Sequence, residues 1–165
     1  MTRQAAGWKA NRAGQGWEDA LAVYHKFLAS QGLAIVNKTG PEVTFVKGRG
    51  GRVEPLVVGP GVADYVGTLS NGTFVGFEAK STSDTSGYSL PAKSLHQLYW
   101  LETVQAISGG RASVFYIVLY RAMNETRLHR IRDILPGKRI RRPDGILLPD
   151  GISWYDALWQ LEKVT

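Results

Sequence analysis

The segment ASVFYIVLY (112–120) constrains the fold more than any other stretch of this chain. It is apolar almost throughout and shows no alternation. Such a strand needs cover on both faces, so it belongs inside a sheet with a layer above and a layer below. The rest of the chain supplies those layers. Trp17, Leu21, Tyr24 and Leu28 recur at helical spacing over about 15–30, and Gly32 offers a stop. LAIVN (33–37) and EVTFVK (42–47) read as two strands across a Lys-Thr-Gly-Pro turn. Residues 63–69 and 73–80 form a hairpin about Asn71-Gly72, a strong turn signal. SLHQLYWLETVQAI (94–107) is helical, and Gly109-Gly110 ends it. TRLHRI (126–131) is a shorter strand, and WYDALWQLEKV (154–164) a short amphipathic helix. STSDTSGYS (81–89) and KRIRRPDG (138–145) read as loops. This order predicts an α/β fold, a mixed central β-sheet flanked by helices, in a single domain over 1–165. Residues 1–13 read as a flexible basic arm, and 47–61, rich in Gly and Pro, as a projecting loop or pair of extended arms.

Composition narrows the chemistry. Hydrophobic residues make up 44%, enough for a packed core. No apolar run approaches the ~18 residues of a membrane span, and the first sixteen residues lack the hydrophobic stretch of a secretory signal. There are no cysteines, and His25, His96 and His129 lie far apart in sequence. A thiolate or histidine-rich zinc centre is therefore not expected, and any metal would be a hard, oxygen-bound ion such as Mg²⁺. The net charge is +6 and the pI about 9.7, which suits a polyanionic partner. The cations are not spread evenly. Residues 1–60 hold eight Lys and Arg and residues 111–142 hold nine, while 61–100 hold only Lys80 and Lys93.

Between those basic flanks lies VADYVGTLSNGTFVGFEAK (62–80), a core-like hairpin that carries Asp64, Glu78 and Lys80. Side chains alternate across a strand, so Glu78 and Lys80 share one face while Val75, Phe77 and Ala79 point to the other. The turn brings Asp64 alongside. Two carboxylates that converge repel unless a proton or a cation lies between them. Mg²⁺ meets that need, being commonly held by one or two carboxylates. It supplies a nucleophile near neutral pH and stabilises charge on a phosphate. Lys80 can orient the attacking water or neutralise the developing charge. The blander alternative is a surface ion pair with an acid in a turn. The rarity of two acids and a lysine on an apolar hairpin favours a nuclease.

The sequence at this block resembles the PD-(D/E)xK nuclease superfamily, and within it the RecU-type Holliday junction resolvases. DYVGTLSNGTFVGFEAKST is similar to that family's Asp-Tyr-x-Gly…Phe-Glu-Ala-Lys block, and NRAGQGWEDAL (11–21) to its Asn-Arg-Gly…Glu start of the first helix. IVNKTGPEV (35–43) looks like its first hairpin, and YSLPAKSLHQ (88–97) like its loop ending in His-Gln. The resemblance implies a restriction-endonuclease-like core in which Asp64 and Glu78 ligate Mg²⁺, with Mn²⁺ able to substitute. It further implies that Lys80 stabilises the transition state, Gln97 adds a metal-site oxygen, Glu18 is an accessory acid and Arg12 contacts a phosphate. By the same resemblance segment 47–61, with Lys47, Arg49 and Arg52, would correspond to the family's DNA-contacting stalk, here shorter than usual. The chain departs from the pattern at Val62, where the family often has a threonine.

The implied activity is resolution of four-way DNA junctions by paired symmetric nicks, in the cytoplasm of a bacterial cell or a phage-infected host. A junction has two-fold symmetry, and a homodimer supplies two matched sites. Arg139 and Arg141, within a basic cluster that also includes Arg127, Arg130, Arg132, Lys138 and Arg142, are further candidates for phosphate contact. Two alternatives stand beside this reading: a restriction-like or repair nuclease acting on duplex or flapped DNA, and a non-catalytic DNA-binding protein.

Overall fold

The computed structural model describes residues 3–40, 42–47, 53–59 and 61–162. Helix α1 spans Arg3–Ser30 and is followed by strand β1 (Ala34–Lys38). Strands β2 (Glu42–Lys47) and β3 (Val53–Gly59) come next, then β4 (Tyr65–Leu69) and β5 (Phe74–Thr82). A short β6 (Gly87–Ser89) leads to helix α2 (Leu95–Ile107) and strand β7 (Ala112–Tyr120). The chain ends with β8 (Glu125–Arg130), β9 (Arg139–Arg141), β10 (Ile146–Leu148) and helix α3 (Trp154–Glu162).

Six strands form the main sheet in the order β1-β4-β5-β7-β8-β10. Only β5 and β7 run parallel; the other pairs are antiparallel. The parallel pair is joined through α2, as a parallel connection requires a crossover. The apolar run of β7 is interior, as its pattern predicts. Phe115 and Ile117 face one core with Trp17, Leu21 and Leu28 of α1 and Trp154 and Leu158 of α3. Val114, Tyr116 and Val118 face a second core with Leu98 and Leu101 of α2. The architecture is thus a mixed sheet between helical layers, which is the predicted class.

Several expectations change. Helix α1 takes in most of the segment expected to be an arm; Ala5, Ala6, Ala10 and Ala13 favour the helix there. It ends where predicted: Gly32 adopts φ 66°, and the Leu33 N–H returns to the Leu28 carbonyl. β1 does not pair with β2. It joins the main sheet beside β4, and β2 pairs with β3 in a separate two-stranded sheet. Segment 47–61 contributes β3 to that pair, with Pro55 tolerated because the pair is all edge, and residues 48–52 and 60 lie outside the described residues. The two polar loops contribute β6 and β9, which pair with one another. β10 has no counterpart among the strands read from sequence.

Candidate active site

The hairpin β4–β5 builds the site. Tyr65 pairs with Phe77 and Thr68 with Phe74, the register expected from the Asn71-Gly72 turn. Gly72 adopts φ 84°, and Asn71 Oδ1 accepts from the Thr73 N–H at 3.0 Å. Gly67 has a separate reason to be glycine: a Cβ there would stand 2.1 Å from the Ile35 carbonyl oxygen across the β1–β4 pair.

Val75, Phe77 and Ala79 pack into the α1–α3 core, so Glu78 and Lys80 point the other way. Asp64 sits just before β4, opposite Glu78, and the backbone locks the two together. The Asp64 N–H donates to Glu78 Oε1 at 2.9 Å, and the Ala79 N–H donates to Asp64 Oδ2 at 3.0 Å. The Lys80 ammonium donates to Asp64 Oδ2 at 2.8 Å and pairs with Glu78 Oε2. Thr39 pins the approach, its N–H donating to the Asp64 carbonyl at 2.9 Å and its hydroxyl to the Ala63 carbonyl.

Burial is graded across the cluster. Glu78 is 0% exposed, while Lys80 and Asp64 retain 19% and 29% of side-chain exposure. Burial, and then the Asp64 charge, push the Glu78 carboxyl up to about 8 against the pull of Lys80. Burial alone would lower Lys80, but the Asp64 and Glu78 carboxylates outweigh it and hold the ammonium above its ordinary value. Two hard-oxygen carboxylates are thus gathered about a cation, and the inner one needs such a charge to ionise. Among the described residues no group of three His, Cys, Asp or Glu side chains converges. The donor set is two carboxylates, which fits a hard divalent ion.

The other candidates are more dispersed. Glu18, on α1, is ion-paired with Lys38 of β1. Gln97 is half-buried in the first turn of α2, and among the described residues no hydrogen bond ties it to Asp64 or Glu78. Val62 is 44% exposed; the nearby hydroxyl is that of Thr39, already engaged with Ala63. Arg12 and Lys47 lie in α1 and β2 with their side chains outside the described part, and Arg49 and Arg52 lie outside the described residues altogether.

Arg139 and Arg141, the candidates within the basic cluster, part ways. Arg139 is held by Asp84 and by the Gly87 carbonyl, the latter at 3.1 Å. Arg141 is 69% exposed and meets Asp144 only at 3.9 Å. Arg142 donates to the Thr85 carbonyl at 2.7 Å and to Glu125 at 2.6 Å, and Arg127 to Glu125 at 3.1 Å and the Gly145 carbonyl at 2.8 Å. Sequence reasoning did not connect two tyrosines with this site. Tyr88 is half-buried on β6, with Lys80, Glu78 and Asp64 all acting on its phenol, and Tyr116 lies on β7 beside Glu78. Tyr88 falls in a stretch that reads as a polar loop, and Tyr116 in an apolar strand where an aromatic residue normally reads as core.

A family model, "Recombination protein U", matches residues 12–139. The chain belongs to the Recombination protein U family. This bears out the resemblance to junction resolvases carried by the hairpin motifs, and with it the reading of the chain as a junction-resolving endonuclease. Nucleases of this family use divalent metal ions. No curated relative matches by sequence. Among solved structures the chain is similar to Hjc, a Holliday junction resolvase from Archaeoglobus fulgidus, at 19% identity and a TM-score of 0.46, covering 82% of this chain and 97% of that one. Among the described residues, no helix is long and apolar enough to cross a membrane.

Proposed function

We propose that this family member is an Mg²⁺-dependent, structure-specific endonuclease that resolves four-way DNA junctions by paired, symmetric nicks as a homodimer. The observation that carries the reading is the convergence of Asp64 and Glu78 on Lys80 in a half-open site. Asp64 and Glu78 are the residues that would hold the ion, with Gln97 as a further oxygen donor. A bound Mg²⁺ would supply a water of lowered pKa and neutralise charge on the phosphate.

The chain's own groups do the rest. The Asp64 and Ala79 N–H groups fix both carboxylates before substrate arrives. In the free protein the Lys80 ammonium balances one negative charge of the pair. With an ion held by Asp64 and Glu78, that ammonium would be available to face the scissile phosphate. Glu18 stands as an accessory acid, and Arg12, Lys47, Arg49, Arg52, Arg139 and Arg141 as phosphate contacts. Of the last two, Arg141 is the more exposed and the better placed to reach DNA. Mn²⁺ is expected to substitute for Mg²⁺, and the compartment served is the cytoplasm of a bacterial cell or phage-infected host.

The test is incubation with a synthetic four-way junction and with linear duplex, each with Mg²⁺ or with EDTA. Metal-dependent paired nicks in the junction alone support the proposal. Efficient cutting of the duplex would overturn junction specificity. The Asp64→Asn variant should bind the junction without cutting it.

A further inference from the structure

Tyr116 is a fully buried side chain that the chemistry above leaves without a task. It lies in mid-β7 and is the Cα partner of Glu78 in the parallel β5–β7 register. Such partners project to the same face of the sheet, so phenol and carboxylate stand side by side on the face covered by α2. Glu78 is also fully buried. Among the described residues the Tyr116 hydroxyl has no hydrogen-bond partner, and Glu78 Oε2, paired with the Lys80 ammonium, keeps a second lone pair to accept with.

These two groups are complementary. An ionised carboxylate only accepts, and a phenol has one proton to donate. After burial itself, Glu78 acts more strongly on the Tyr116 phenol than any other charged group does. The phenol and the carboxylate make no direct hydrogen bond. Buried waters join polar groups that would otherwise go unpaired.

We propose that Tyr116 is a positioning residue for the metal-binding carboxylate, its hydroxyl donating to one buried water that in turn donates to Glu78 Oε2. The link fixes the carboxylate from the side opposite its backbone anchor, as outer hydrogen-bond partners do for metal ligands generally. It rests on the reading of Glu78 as a metal ligand, and the experiment separates the two.

Full-length wild type, Tyr116→Phe and Glu78→Gln are prepared metal-free. Mn²⁺ binding is followed by electron paramagnetic resonance of the free ion, and thermal melts are recorded with and without Mn²⁺. In Tyr116→Phe the Mn²⁺ dissociation constant should rise roughly tenfold. Its metal-free melting temperature should not fall, because the ring is kept. Junction cleavage should recover at saturating Mn²⁺. Glu78→Gln should lose binding. If Tyr116→Phe binds Mn²⁺ as the wild type does while Glu78→Gln does not, the role of Tyr116 is overturned and the site stands. A lower metal-free melting temperature with unchanged Mn²⁺ affinity assigns the hydroxyl to folding and also overturns it. If Glu78→Gln binds as wild type, the site itself is overturned and Tyr116 with it.

Discussion

The hairpin β4–β5 and the basic segment 125–142 are both dense in charge, yet the fold treats them in opposite ways. In the hairpin, two acids and a lysine are drawn together, and the inner acid is fully buried. In the basic segment, Arg127 and Arg142 share Glu125, while Arg139 and Arg142 hold the carbonyls of the 85–87 loop. Charge forced to converge out of water is poised for chemistry, because the cluster is relieved only by a proton or a cation. Charge paired off against carbonyls and single acids is structural. A run of arginines in a sequence therefore overstates the cations left for DNA, whereas one lysine between two converging acids understates its importance.

The largest expected effect comes from breaking the convergence. Lys80→Met removes the cation between two fixed carboxylates. Cleavage should fall by roughly 10²–10³-fold, the scale for losing one charge-stabilising donor. The metal-free protein should also melt lower, and Mg²⁺ should restore more of its melting temperature than it adds to the wild type. Equal Mg²⁺ shifts in both proteins would deny that the ion takes over the lysine's place.

Acid should weaken both regions through their buried histidines. His25, which accepts from the Trp154 indole at 3.2 Å, and His129, beside Tyr120, are each lowered by burial from 6.5 to about 4. The unfolded chain then binds protons that the folded one refuses. Stability is full above about pH 6.5 and is lost as pH falls toward 4, by about 3 kcal/mol for each histidine. Denaturant titrations at pH 7, 5.5 and 4.5 check the slope. A flat profile would remove the buried neutral histidines from the account.

Smaller effects separate the arginines. Glu125→Gln should lower the melting temperature modestly, because Arg127 and Arg142 lose their shared partner, and should leave Mg²⁺ dependence unchanged. Arg141→Ala should leave the melting temperature unchanged and reduce the slope of log K against log salt for junction binding by ~0.9. Arg142→Ala should do the reverse, costing stability with little change in slope. If both change the slope equally, the division between structural and exposed cations fails.

Some of this was legible from residues alone. The alternation of FVGFEAK separated Glu78 and Lys80 from Val75 and Phe77, and the Asn71-Gly72 turn set the register beside Asp64, because period-two geometry and turn chemistry are local. The unbroken apolar run of β7 identified an interior strand for the same reason. Strand partners were not legible: β1 and β2 look like a hairpin, yet β1 closes on β4, where Gly67 permits the approach.

By itself the sequence determined the candidate site's three charged residues and the hairpin that carries them. Only the tertiary structure decided how far each group is withdrawn from water, and with what neighbours. That is why Glu78 rises to about 8, why Arg139 is engaged while Arg141 stays exposed, and why Tyr116 stands beside the carboxylate. Desolvation and pairing depend on contacts between residues distant in sequence, which no local pattern records.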